Sequence, residues 1–253
     1  MKIREIISAI EEFAPRSCAA EWDNVGVMLG DVSRECTGVA VCLDCTEETV
    51  SAAAENGCNL IVSHHPFVFK PLYDLELVTD KARTAEAAFK NDVTIYSAHT
   101  NLDVAERGLS VSLAEMFGGK DTERFEFGCY ASVAPCTAAE LARRVSAVLG
   151  DRGVRVCNPD ATVNRIYVVS GSGGSQEELE AAAKEGAALV TAQVRHETYV
   201  KAYAEKIPVV EFSHYYSEII CCDIFSDIIK SRFGELKVVE QQRRCPYDTL
   251  EEL

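Results

Sequence analysis

The chain opens with apolar residues at helical spacing. Ile3, Ile6, Ile7, Ile10 and Phe13 recur through MKIREIISAIEEF with charged residues between them, which predicts an amphipathic helix. Beyond it, short apolar runs alternate with amphipathic stretches. Residues 38–44 (GVAVCLD) read as a strand, and Thr46 then opens a helix with Glu47 and Glu48 in its first turn. Residues 59–63 (NLIVS) form a short buried strand. Asp80 is placed to cap a helix running to Asn91, and residues 93–97 (VTIYS) are the next strand. A helix through Leu109, Leu113, Met116 and Phe117 stops at Gly118. Later, Thr137 with Glu140 and Ser175 with Glu178 have capping-box spacing ahead of two more helices. Strands alternating with helices are the signature of an α/β fold with largely parallel sheets.

The pattern repeats. AAENGCNLIV (53–62) aligns without a gap on AAKEGAALVT (182–191), and each segment follows a strand and an acidic helix start. Further on, Tyr96-Ser-Ala-His99 matches Phe212-Ser-His214, followed by the acids Asp103 and Glu218. Phe117-Gly118 and Phe233-Gly234 then end the corresponding helices. The order of these matches favours an internal duplication over chance likeness between strand–helix units. It predicts two similar layers over 39–120 and 165–236, joined by 121–163, so that the chain divides into halves at 1–122 and 123–253.

Composition narrows the chemistry. The chain has 253 residues, 47% hydrophobic and 26% charged, enough for a buried core. Its formal charge of −15 repels phosphate backbones and anionic lipid, so neither nucleic acid nor a membrane is an expected partner. No apolar run reaches the ~18 residues of a membrane span, and the amino terminus does not read as a signal peptide. The eleven cysteines are odd in number and lack a disulfide-framework spacing. Cys42 and Cys45 form a lone CxxC in a strand, where i and i+3 face opposite ways, so buried thiols are expected rather than zinc ligands. These features place the protein in a reducing, cytoplasmic compartment.

Against this background the five histidines stand out. His64 and His65 follow strand LIVS directly, with Pro66 stopping any continuation. His99 follows strand TIYSA, with Asp103 four residues on, and His214 follows strand VVEFS, with Glu218 four residues on. His196 follows strand LVT after a short polar stretch. Every histidine therefore lies beyond the carboxyl end of an expected strand, the edge where open α/β sheets place ligands. One such histidine would read as a satisfied structural residue; five at equivalent ends do not. Adjacent His64 and His65 point different ways and can serve different ions, while Asp103 and Glu218 add hard oxygen ligands. Imidazole with carboxylate suits zinc, manganese, iron or nickel better than calcium. Two ions about 3.5–4 Å apart can activate a shared water and polarise a phosphoryl or carbonyl oxygen. The pattern reads as a dinuclear metal site.

Four runs carry a resemblance: Glu21-Trp-Asp-Asn-Val-Gly26, Ser63-His-His-Pro66, His99-Thr-Asn-Leu-Asp103 and His214-Tyr-Tyr-Ser-Glu218. In this order and spacing the sequence resembles, over nearly its whole length, the GTP cyclohydrolase 1 type 2 homologues, the Nif-three-like family. The resemblance implies two interlinked α/β halves, each a mostly parallel sheet flanked by helices, with the metal site between them. It implies two divalent ions per chain held by His64, His65, Asp103, His214 and Glu218, with Glu218 as the bridge. It further implies a homohexamer built as a trimer of dimers. His99 and His196 are not ligands in that pattern and become candidate catalytic groups, as proton carriers or as orienters of the ligands. The stretch Thr191-Ala-Gln-Val-Arg-His196-Glu197 departs from the family's usual Thr-Gly-acid start, so no role passes to Gln193 or Glu197.

Smaller features complete the expectation. The glycine-rich run Ser170-Gly-Ser-Gly-Gly-Ser175 can cradle a phosphate on its amides or serve as a plain strand–helix turn. Trp22 reads as a core anchor beside a turn at Asp23 and Asn24, and Asp44, ending strand GVAVCLD, can line the site or cap the following helix, with the cap favoured. The tail from Gln241 to Leu253 reads as loosely ordered. The expected function is a metal-dependent hydrolase of a nucleotide-like or phosphorylated substrate; a small anion is admissible because metal charge offsets the −15 locally. The alternative is a non-catalytic, metal-binding regulatory or adaptor protein. No organic cofactor site is expected.

Overall fold

The computed structural model describes residues 1–241 and 244–249; the part of the expected loose tail at 242, 243 and 250–253 lies outside these. In chain order the first elements are α1 (Ile3–Phe13), β1 (Gly26–Leu29), β2 (Val39–Cys42), α2 (Glu47–Glu55) and β3 (Leu60–Ser63). They are followed by α3 (Asp80–Lys90), β4 (Thr94–Ser97), α4 (Thr100–Asp103) and α5 (Leu109–Met116). Next come β5 (Lys120–Phe125), β6 (Gly128–Thr137), α6 (Ala138–Leu149), β7 (Arg155–Cys157) and β8 (Thr162–Val169). The last are α7 (Gln176–Lys184), β9 (Ala188–Ala192), α8 (His196–Glu205), β10 (Val209–Phe212), α9 (His214–Glu218), α10 (Cys221–Arg232) and β11 (Val238–Glu240).

These elements form two compact units that do not divide the chain at one point. The first is Met1–Ala105 with Ile219–Arg244; the second is Glu106–Glu218 and resumes at Cys245. The stretch 121–163, expected as a joining segment, is a hairpin, a helix and a strand of the second unit. The helix α10 and strand β11, which follow the second repeat in sequence, pack in the first unit, where Val238 pairs with Val39.

The sheet of the first unit has the order β1-β4-β3-β2-β11. Its central strands β2, β3 and β4 are parallel, and all four residues of each are buried. Such runs are continuous rather than alternating because helices cover both faces of a parallel sheet. Register fixes the carboxyl edge: Cys42 pairs with Ser63, and Ser63 with Ser97. Residues just beyond these three therefore emerge side by side. Ser63 and Ser97 lock the edge through their hydroxyls at 2.8 Å. The stripe Ile3, Ile6, Ile7 and Ile10 of α1 is buried, as its spacing requires. Cys42 and Cys45 lie in one core cluster, where burial pushes the Cys45 thiol up to about 12 and Cys42 upward as well. Both are buried, as expected, and burial favours the neutral thiol. Among the described residues no disulfide joins any cysteine.

In the second unit the order is β5-β6-β8-β9-β10-β7. Its parallel core β8-β9-β10 repeats the wiring of β2-β3-β4, with β7 antiparallel on β10 as β1 is on β4. Val169 pairs with Thr191 and Thr191 with Glu211, so this sheet too has an aligned carboxyl edge. Thr137 makes the expected capping box with Glu140. Three local expectations are corrected. Asp80 is the first residue of α3, and Thr79 caps it. Thr46, not Asp44, caps α2 by accepting from Thr49 N. Ser175 caps α7 through Glu177 N, and its hydroxyl donates to the Glu178 carboxylate instead of completing a reciprocal box. Among the described residues no helix is long and apolar enough to cross a membrane.

Candidate metal centre

In the first unit the edge of β3 and β4 gathers three imidazoles. His64 and His65 continue β3, and their backbone amides still donate to Cys42 and Leu43 carbonyls, so both are held as a strand extension. Their ligand nitrogens and that of His99 lie within 4.8 Å of one another, a spacing that can hold a metal ion. Each ring is anchored through Nδ1. His64 Nδ1 donates to the Ala98 carbonyl at 3.0 Å, His65 Nδ1 meets Asp44 Oδ1 at 2.8 Å, and His99 Nδ1 meets Asp23 Oδ1 at 2.9 Å. A carbonyl or carboxylate at Nδ1 puts the proton there and the ring lone pair on Nε2, the form a metal ligand needs. The residues thus fit a metal by their chemistry. His64 is fully buried, and its Nε2 lies 3.9 Å from Asp103 Oδ1.

The run His99-Thr-Asn-Leu-Asp103 shows why a short helix belongs here. His99 stands at the start of α4 and Asp103 at its end, joined by Asp103 N donating to His99 O at 3.2 Å. Thr100 donates to Asp23 Oδ2 from both N (3.1 Å) and Oγ1 (2.5 Å). Asn101 takes His99 N at 2.9 Å on Oδ1 and donates from Nδ2 to Ala14 O at 2.7 Å, while Leu102 is buried. Burial pulls the Asp23 carboxyl upward, but the hydrogen bonds from His99 and Thr100 outweigh it and bring it down to about 2. Asp23 is therefore an ionised anchor for His99.

In the second unit, α9 places His214 and Glu218 one turn apart, with Nε2 and Oε2 at 2.8 Å. Glu218 is only 4% exposed and packs against the glycine-rich loop after β8. A Cβ on Gly171 would lie 2.1 Å from Glu218 Oε1, and its φ of +61° is left-handed, so glycine alone fits. Gly171 N donates to Ser217 Oγ at 3.0 Å, and that hydroxyl donates to His214 O at 2.7 Å. Two further amides of the loop are engaged: Ser170 N on Ser110 Oγ and Gly173 N on Gly171 O. The loop thus packs tightly enough to let a carboxylate approach the backbone at Gly171.

A sequence profile described as Duf34/NIF3 (NGG1p interacting factor 3) matches residues 1–246. The chain belongs to the Duf34/NIF3 family. Among its relatives is a GTP cyclohydrolase 1 type 2 homolog of Clostridium perfringens, 32% identical, with 98% of this chain and 99% of the relative covered. A Streptomyces coelicolor protein of the same name is 31% identical over 92% of this chain and 88% of its own length. Solved structures share the NIF3 fold. A Staphylococcus aureus hypothetical protein superposes with a TM-score of 0.89 at 24% identity, and a Bacillus cereus protein related to NIF3 with 0.89 at 20%; each alignment covers 99% of both chains.

Of the residues that the sequence singles out, the first unit brings together His64, His65, His99 and Asp103, and the second His214 and Glu218. His196 is exposed at the first turn of α8, and Gln193 takes a left-handed φ of +52° with its side-chain oxygen on the Ser172 hydroxyl. Three expectations of this NIF3 chain change. Asp44 orients His65 instead of capping α2. Asp23 does more than shape a turn, since it holds His99 and Thr100. Trp22 is not a core anchor: it is 63% exposed. Sequence could flag Asp23 only through its place in the EWDNVG run; Asp44 is marked by its place at the end of strand GVAVCLD, which allows it to line the site as well as to cap α2.

Proposed function

We propose that this Duf34/NIF3 protein is a metal-dependent hydrolase acting on a nucleotide-like or phosphorylated substrate. The observation that carries the reading is the set of three clustered imidazoles, each turned to its metal-binding form by an oxygen at Nδ1. His64, His65, Asp103, His214 and Glu218 are the proposed ligands that would hold two divalent ions, Glu218 being the ligand that both would share. Nitrogen and carboxylate donors accept zinc, manganese, iron or nickel, and cellular supply decides among them. Bound ions would supply an activated water and a polarised phosphoryl or carbonyl oxygen. The chain's own residues do the rest. Asp44 and Asp23 orient His65 and His99; His99 would take the proton of the attacking water on its Nε2 lone pair and pass it to the leaving group, with His196 as the second candidate. A cytoplasmic homohexamer, a trimer of dimers, is the proposed working form.

The family's description as an interacting factor favours a second reading, a metal-holding adaptor without turnover. A screen separates the two. Protein loaded with manganese, zinc, iron or nickel is assayed against GTP, nucleoside phosphates and generic phosphoesters. Turnover that His64→Ala and Glu218→Ala abolish, with the circular dichroism unchanged, supports the hydrolase. Absence of turnover with every metal supports the adaptor.

A further inference from the structure

Trp22 is the chain's only tryptophan. It stays 63% exposed, and Phe69, in the segment after β3, is 44% exposed. Their rings stand 6.0 Å apart at 82°. Each also stands nearly perpendicular to His99: Trp22 at 6.4 Å and 75°, Phe69 at 6.0 Å and 85°. Three planes at near right angles make an open corner, whereas an aromatic cluster that serves the core buries its rings. The corner is also fixed in place. Asp23, next to Trp22, holds His99, and Asn24 donates from Nδ2 to the Val68 carbonyl beside Phe69 at 2.5 Å. Large aromatic surface left in water forgoes about 25 cal/mol per Å2 of burial, so a rigid exposed pair beside an oriented imidazole calls for an occupant.

We propose that Trp22 and Phe69 form a stacking site for a planar heteroaromatic ring, such as the base of a nucleoside, and that this ring is the recognised part of the substrate. The proposal deepens the hydrolase reading and rests on it for the word substrate. Stacking suits this chain because it needs no positive charge, and the net charge is −15. Because the three planes are mutually perpendicular, a flat ring stacked on Trp22 or Phe69 is brought up against His99 and not stacked on it. That sets the group to be protonated near a side chain whose Nδ1 is already held by Asp23.

The single tryptophan makes the test direct, since its emission reports this corner alone. The full-length protein, as purified and after metal loading, is titrated with guanosine and separately with ribose 5-phosphate. Excitation at the red edge of the indole band avoids absorption by the base. We expect saturable quenching by guanosine and none by ribose 5-phosphate. Phe69→Ala should weaken guanosine about tenfold or more, and Phe69→Tyr should restore it, since base–aromatic stacking is sequence-tolerant but needs the ring. No quenching by guanosine, equal binding of ribose 5-phosphate, or an unchanged affinity in Phe69→Ala overturns the proposal. A drop in sedimenting mass in Phe69→Ala overturns it too, since a second copy of the chain would then cover the corner. Guanosine binding without turnover would remove the hydrolase reading and leave the stacking site standing; turnover without guanosine binding would do the reverse.

Discussion

The two sheet edges share a plan and differ in what they carry. Parallel strands β2-β3-β4 and β8-β9-β10 are wired alike, and a short helix follows the last of each, α4 in one unit and α9 in the other. The first edge carries three imidazoles, and carboxylates hold two of them at Nδ1. The second pairs His214 with one buried carboxylate, packed on the backbone of a glycine, and leaves His196 exposed at the start of α8. A repeated scaffold thus delivers side chains to the same kind of edge, while the loading differs: imidazoles oriented by partners, with Asp103 beside them, in the first unit, and His214 with a carboxylate set by close packing in the second. Different substitutions should therefore break the two edges.

The largest effect is expected at Gly171→Ala. The left-handed φ and the 2.1 Å approach to Glu218 Oε1 act together, so we expect about 3 kcal/mol or more of destabilisation and loss of metal uptake. Urea unfolding and elemental analysis check both. Next is Asp44→Asn. Asp44 is 41% exposed, so the fold should hold. His65 loses its anionic anchor, and metal affinity should fall about 10–100-fold, read by competition with a chelator. The smallest effects are expected at Gly57→Ala and Gly186→Ala, the matched glycines of the repeat. Both have left-handed φ, +71° and +62°, with open space where a Cβ would go. Each should cost about 1–2 kcal/mol, by similar amounts, and leave metal binding untouched. Unequal costs at these two positions would weaken the likeness between the units.

The histidines were legible in sequence because strands of four buried residues end abruptly, so whatever follows is placed at the edge. The pairings that orient them were not. Asp23 and His99 are 76 positions apart, and Asp44 lies two residues before the threonine that caps α2, where a cap reading is natural. A lone tryptophan ordinarily reads as a core residue, yet Trp22 lies in a turn, closed by Asp23 N on the Ala20 carbonyl at 3.0 Å, and is 63% exposed. The polar strand KDTERF has all six residues exposed and so lacks any alternation that could announce β5. Strand β11 joins the first unit through a pairing some two hundred residues distant, which no local pattern encodes.

The central proposal is that both edges supply metal ligands and that the chain takes two ions. Elemental analysis of protein loaded with manganese or zinc and then desalted tests it most directly. The account predicts about two equivalents per chain, reduced by His64→Ala and by Glu218→Ala alike; about one equivalent or less in the unaltered protein, or a value that Glu218→Ala leaves unchanged, would contradict it.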